Sequence, residues 1–292
     1  MDKKRRRRFG DRKDGRRIRS IDPMSAIASY IMVERNTCSN LFEDAFSMEN
    51  VDAFIKQQRA KGLKGFGVMH VLVAAYVRMV SAYPATNRFI SGQKLFHRNN
   101  IEIALTIKKD MNLESPDTVI KVELTPDATS TDVYNAFTKE IESYRNEPGG
   151  DFDKTAKLFS FIPGVLLKFT VWLLKLLDYF GGLPKFLLKV SPFHAGLFIT
   201  SMGSLGIPPI YHHLYDFGNC PLFIAFGAKE KVRELQMDGS VKEKKIIRYK
   251  VVMDERICDG YYYAAALKCF RRYMENPQGL ELPPETVVED ID

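Results

Sequence analysis

The sequence of 292 residues predicts an α/β protein built as one continuous domain. Two observations lead there. Strand-like runs alternate with helix-like ones along the chain, and residues 65–82 form a helical segment so apolar on every side that only burial suits it.

Taken in order, residues 39–48 read as a strand, 51–61 as a polar helix and 65–82 as the buried helix. Residues 101–107 and 119–124 are strands. In the second, Ile120, Val122 and Leu124 alternate with Lys121 and Glu123, which gives one buried face. Ser130 or Thr131 suits the N-cap of a helix whose Val133, Phe137, Ile141 and Tyr144 share a stripe and which ends before Pro148-Gly149-Gly150. Strands at 197–201, 222–226 and 246–253 complete the set, with Asp238-Gly239 as the hairpin turn between the last two.

The net charge of +7 is unevenly spread. Residues 1–19 carry eleven Lys and Arg against three Asp, whereas the body is close to neutral. Residues 1–21 are therefore expected to form a flexible basic arm, either solvated or tethered to an anionic membrane surface. The body shows no matching basic face or base-stacking motif, so no specific nucleic-acid partner is expected. Cys38, Cys220, Cys258 and Cys269 are widely spaced, as in a cytoplasmic protein with reduced thiols and no metal site. No apolar signal segment follows the basic start.

Residues 155–192 stand out as an apolar helical hairpin inserted in the domain, residues 22–292. The longest charge-free run within its core, residues 158–167, is too short to span a bilayer. Lys168, Lys175 and Asp178 fall on one narrow stripe, Gly181-Gly182 breaks the helix, and Lys185 and Lys189 follow four apart. Such a hairpin buries itself between subunits or lies at the inner face of a membrane with its lysines toward the headgroups.

The chemistry is concentrated in Asp254-Glu255-Arg256-Ile257-Cys258-Asp259-Gly260, between a strand-like and a helix-like run. It resembles the His-x-x-x-Asp-Gly signature of chloramphenicol acetyltransferase and the 2-oxoacid dehydrogenase acyltransferases, with Glu255 at the histidine position. Further segments are similar to the same family in the same order: VLVAAYVRMVSAYPATNRFI, NNIEIALTI, FITSMGSLGI with CPLFIAFGAKEK, and MDERICDGYYYAAAL. The similarity covers residues 22–276.

The resemblance implies a two-layer sandwich with a mixed sheet, assembled as a homotrimer whose sites lie between subunits. It implies transfer of an acyl group between coenzyme A and a hydroxyl, amine or thiol acceptor. Glu255 would replace the histidine base, and Ser201, with Thr200 or Ser204 as alternatives, would supply the hydroxyl that steadies the oxyanion from a neighbouring subunit. Asp259 would brace the loop by pairing with an arginine. Coenzyme A binding rests on the resemblance alone, since the sequence has no phosphate-binding loop. No lipoyl domain or linker precedes the core, so an acyl-CoA is the expected donor and no lipoyl group is expected on this chain.

A carboxylate at its ordinary pKa of about 4.3 is a weak base, and burial in a dry channel would strengthen it. Glu255 is therefore either a base in such a channel or a salt-bridge partner in a catalytically retired homologue that serves as a scaffold or ligand-binding trimer. His212 and His213, in the loop after the Ser201 strand, could replace the missing imidazole or simply pack there. His70 reads as a satisfied core histidine, and His97 and His194 have no metal-ligand spacing.

Overall fold

The computed structural model describes residues 7–108, 117–146 and 151–292. In chain order the elements are β1 (Gly15–Arg17), α1 (Pro23–Ile31), β2 (Ser39–Ser47), α2 (Glu49–Ala60), α3 (Val68–Ala82), β3 (Arg88–Ser91), β4 (Lys94–Arg98), β5 (Ile101–Lys108) and β6 (Asp117–Leu124). There follow α4 (Ser130–Asn146), α5 (Asp151–Ser160), α6 (Gly164–Tyr179), α7 (Lys185–Val190), β7 (Leu197–Ser201), β8 (Leu222–Leu235), β9 (Val241–Asp254) and α8 (Gly260–Glu275). Six strands form a mixed sheet in the order β2-β9-β8-β7-β5-β6, in which β7 runs parallel to β5 and β8 and the other pairs are antiparallel. A small sheet, β1-β4-β3, stands apart from it.

The two faces of the large sheet are separated by the period-two alternation of its strands. Leu197, Ile199, Leu222, Ile224, Val251 and Met253 point to one face, where α3 and α8 complete the main core. Phe198, Phe223 and Val252 point to the other and are covered by Leu214 and Cys220 of the loop that joins β7 to β8. The α3 helix is buried without interruption from Val71 to Ser81, as its all-round apolarity demands. At its start the Gly67 N–H donates to His70 Nδ1 at 3.0 Å, so His70, half-buried at the edge of the core, caps its own helix. Burial, under Phe66, Tyr134 and Phe137, pushes its pKa down to about 4.

Several boundaries differ from the sequence reading. The α4 cap is Thr129, one residue before the expected Ser130 and two before the alternative Thr131. Its Oγ1 accepts from the Asp132 N–H at 3.3 Å, while Asp132 Oδ2 accepts from the Thr129 N–H at 2.8 Å. The expected stop at Pro148-Gly149-Gly150 lies outside the described residues. The strands β8 and β9 run well past Phe226 and Ile246 as a solvent-exposed ribbon, closed at Gly239, which has φ +82°.

Part of the basic N-terminal segment is folded. Strand β1, inside the stretch assigned to the arm, pairs with β4, and Arg12 is buried. Arg12 Nη2 meets Asp178 Oδ1 at 2.6 Å and its Nε meets Asp14 Oδ1 at 2.8 Å. Arg16 donates to the Ile291 carbonyl at 2.6 Å, and Arg88 binds Asp290 at 2.8 Å, so the C-terminal segment closes over the small sheet.

Candidate active site

The loop that carries Glu255 is held by a buried ion cluster. Asp254, the last residue of β9, accepts from Arg256 through both oxygens, at 2.8 Å each, and lies 3.5 Å from Arg35 Nε. Arg256 also donates to the carbonyls of Met32 and Val33, and Arg35 donates to that of Tyr215 at 2.6 Å. These contacts tie the end of β9 to two neighbouring loops. A charged pair this enclosed holds geometry firmly because neither partner can exchange it for water.

Glu255 itself is exposed. Its N–H donates to the Cys38 carbonyl at 2.9 Å, which fixes the backbone, while its carboxylate makes no hydrogen bond or ion pair among the described residues. Asp259 caps α8: its Oδ1 accepts from the Tyr262 N–H at 2.8 Å, and among the described residues it has no arginine partner. The arginine–aspartate brace expected of Asp259 is thus made five residues earlier, by Asp254 with Arg256. Cys258 lies between them, and burial pushes its thiol up to about 12, so it supplies no thiolate nucleophile.

Ser201 ends β7. Its Oγ accepts from the Ser204 N–H at 3.3 Å, and Ser204 Oγ donates back to the Ser201 carbonyl at 2.8 Å. By strand alternation Ser201 shares the face of Leu197 and Ile199, and Thr200 shares the opposite face with Phe198. Along the sheet, Ser201 pairs with Phe226, whereas the Asp254 N–H bonds to the Pro221 carbonyl. Those rungs are five residue steps apart on one chain, or about 17 Å at about 3.4 Å per residue. Within one subunit Ser201 and Glu255 therefore stand at opposite ends of the central strands.

The paired histidines lie nearer Glu255. His213 Nδ1 is 3.2 Å from Asn36 Oδ1, in the 3-10 turn Asn36–Cys38 whose Cys38 holds the Glu255 backbone. His212 stacks on Phe223, with ring centroids 4.2 Å apart and planes 12° apart. Its Nε2 is buried and has no partner among the described residues. Burial first, and then the charge of His213, lowers the His212 pKa, which favours a neutral imidazole.

A second buried polar cluster escaped the sequence reading. It joins Arg12 and Asp14 to Asp178, Arg98, Asn219 and His194. Arg98 donates to the His194 carbonyl at 2.9 Å and to Asn219 Oδ1 at 2.8 Å, and Asn219 donates to Asp14 Oδ2 at 3.0 Å. Burial works to raise the Asp178 pKa, but the His194 hydrogen bond and the Arg12 charge override it and hold it at about 2. The one signal in the sequence was Asp178 itself, a lone acid in an apolar helix. His97 lies against Asp290 at 3.1 Å. Among the described residues no group of His, Cys, Asp and Glu is arranged to hold a metal ion.

Sheet order, helical layer and the loop closing on α8 define the acyltransferase fold of the 2-oxoacid dehydrogenase complexes. The chain is similar to a dihydrolipoamide acetyltransferase of Azotobacter vinelandii, with TM-score 0.55 and 12% identity over 89% of this chain and 88% of that one. Similarity to a probable dihydrolipoamide acetyltransferase of Listeria monocytogenes 4b F2365 gives TM-score 0.54 and 12% identity over 88% and 93% of the two chains. A truncated catalytic core of the 2-oxoacid dehydrogenase multienzyme complex of Thermoplasma acidophilum gives TM-score 0.54 and 9% identity over 89% and 99%. No protein-family model matches the chain, and no curated protein matches it. At these identities the likeness establishes the fold, and the reaction must be argued from the site.

Proposed function

We propose that the protein transfers an acyl group between coenzyme A and a hydroxyl, amine or thiol acceptor, at a site formed where two subunits of a homotrimer meet. The observation that carries this reading is the separation of Ser201 from Glu255 within one chain, with each at an accessible end of the sheet. Two copies can bring together what one copy holds apart. In the Azotobacter enzyme a serine, a histidine and an asparagine have roles in the catalytic mechanism. The corresponding order here is Ser201, Glu255, Asp259.

In this reading Glu255 takes the proton of the attacking thiol or acceptor group as its lone pair adds to the acyl carbonyl carbon. The Ser201 hydroxyl of the neighbouring subunit donates to the oxyanion. Collapse of the tetrahedral adduct re-forms the carbonyl and expels the leaving group, which recovers the proton from Glu255. The Asp254–Arg256 pair keeps the base in place, and Asp259 fixes the start of α8. Closure by a second subunit would remove water from Glu255 and strengthen it as a base. His212, neutral and with a free ring nitrogen, is the next candidate base, and His213 stands at the same turn.

A second reading rests on the exposure of Glu255 in the single chain. A solvated carboxylate is a poor base at neutral pH, as in a trimer that keeps the fold as a scaffold or ligand-binding protein. Both readings require oligomers, so light scattering at low concentration should report a trimer; a stable monomer contradicts both. A structure with coenzyme A separates them. Catalysis requires the sulfur within hydrogen-bond reach of Glu255, with the Ser201 hydroxyl of the next subunit facing the place where the acyl oxyanion forms, and a thiol far from Glu255 leaves the scaffold reading.

A further inference from the structure

The α6 helix is rich in apolar residues yet scarcely covered by the rest of the chain. Of its sixteen residues only Asp178 is buried. Those with partial cover, Leu167, Thr170 and Leu174, fall on the same side as Asp178, so this side faces the body. The opposite stripe, Val165, Phe169, Trp172 and Leu176, points outward at helical spacing, with Val165 88% and Trp172 55% exposed. Lys168 and Lys175 run along its flank. Beyond the ends of the helix, Phe161 and Phe180 extend the apolar surface at 74% and 76% exposure.

The helix is fastened at its C-terminal turn. Arg12 binds Asp178 through its carboxylate and its carbonyl, Ser91 Oγ donates to that same carbonyl at 3.0 Å, and Tyr179 Oη lies 2.9 Å from Gln93 Oε1. Lys13 Nζ donates to the Leu183 carbonyl at 2.8 Å. The strongly basic N-terminal segment is thus locked to the base of the apolar helix, although the two lie far apart in sequence.

We propose that this outward stripe docks on an anionic lipid bilayer, α6 lying in the plane of the interface with its lysines at headgroup level. Its sixteen residues extend about 24 Å, short of a hydrocarbon core of about 30 Å. Among the described residues no helix is long and apolar enough to cross a membrane, so the helix rests on the bilayer rather than spanning it. Charge selects the occupant. The only acid of α6 is spent on Arg12, and the charges left on α6 and α7 are Lys168, Lys175, Lys185 and Lys189. A second copy presenting the same face would set lysine against lysine, whereas anionic headgroups neutralise them. Trp172, beside the lysine flank, occupies the position that suits an indole at a membrane interface.

Trp172 is the chain's single tryptophan, so its emission reports the contact directly. The full-length protein is titrated with phosphatidylcholine vesicles, with and without phosphatidylglycerol. Flotation and a blue shift of the emission are expected with the anionic vesicles, reversed by high salt. Lys168→Glu and Lys175→Glu should each weaken binding by about fivefold or more, from a contribution of about 1 kcal/mol for each basic residue. Phe169→Glu, at an exposed position, should abolish the shift without loss of folding. Absence of a shift with anionic vesicles overturns the proposal, as does an equal response to neutral ones. An emission that is blue without lipid and reddens as the mass falls on dilution also overturns it, in favour of a second copy as the cover. The proposal is independent of the acyl-transfer reading, and coenzyme A titration of the same samples keeps the two apart.

Discussion

Replacing Asp254 by Asn keeps the side chain's shape and removes the one negative charge that Arg256 and Arg35 share. The side chains of Asp254, Arg256 and Arg35 are 1%, 3% and 8% exposed, so the two guanidinium groups would remain buried without the carboxylate they share. Breaking a buried pair from one side costs about 3–5 kcal/mol. At about 2–4 °C per kcal/mol for a chain approaching this size, the melting temperature should fall by roughly 10 °C. Asp259→Ala is the comparison. That residue is an exposed helix cap, and its loss should cost about 1 kcal/mol. Urea unfolding of the two variants and the parent, followed by far-ultraviolet circular dichroism, measures both. If Asp254→Asn costs no more than Asp259→Ala, the buried cluster does not brace the loop and the assignment of roles to the two aspartates is wrong.

If the protein transfers acyl groups, Glu255→Gln should lower turnover by about 10²- to 10⁴-fold in a steady-state assay. Ser201→Ala should lower it by about 10²- to 10³-fold, and an unchanged rate for Glu255→Gln would pass the base assignment to His212 or His213. Activity gained only in Glu255→His would mark the natural protein as a retired enzyme. His70 sets a pH dependence of stability. Its pKa is about 6.5 unfolded and about 4 folded, so on acidification the unfolded chain takes up the proton first. The stability from His70 is complete above about pH 6.5 and falls by about 2–3 kcal/mol as the pH drops toward about 4. His70→Gln, which can still accept at the helix start, should flatten that part of the profile measured by denaturant unfolding.

The elements legible in the sequence are those whose pattern is local. The pattern predicts β7 over residues 197–201 and the strand runs Leu197–Ser201, while the buried helix is evident because no side of it suits water. The β8–β9 ribbon extends further than its apolar pattern because beyond Phe226 the chain alternates charged residues on both sides, leaving no apolar face to mark a strand. β1 is hidden for a related reason. Gly15–Arg17 has no strand pattern of its own, and its pairing with β4 is made across some eighty residues of chain. Arg12 reads as one more charge in a basic run, and only the fold reveals that Asp14 and Asp178 enclose it. The same limit applies to the loop. Spacing singles out Glu255 and Asp259, but the ion pair that holds them, Asp254 with Arg256, depends on a burial that two charged residues do not advertise.

Completion of the site between subunits is tested most directly by cross-linking a Ser201→Cys, Glu255→Cys double variant. The two positions lie about 17 Å or more apart in one chain by strand geometry, beyond the reach of a disulfide or a short bis-thiol reagent. Covalent dimers and trimers are expected on a denaturing gel, absent from each single variant and from the parent with its four native cysteines. Cross-linking confined to single chains, or none in a protein shown to be trimeric, would contradict a shared site.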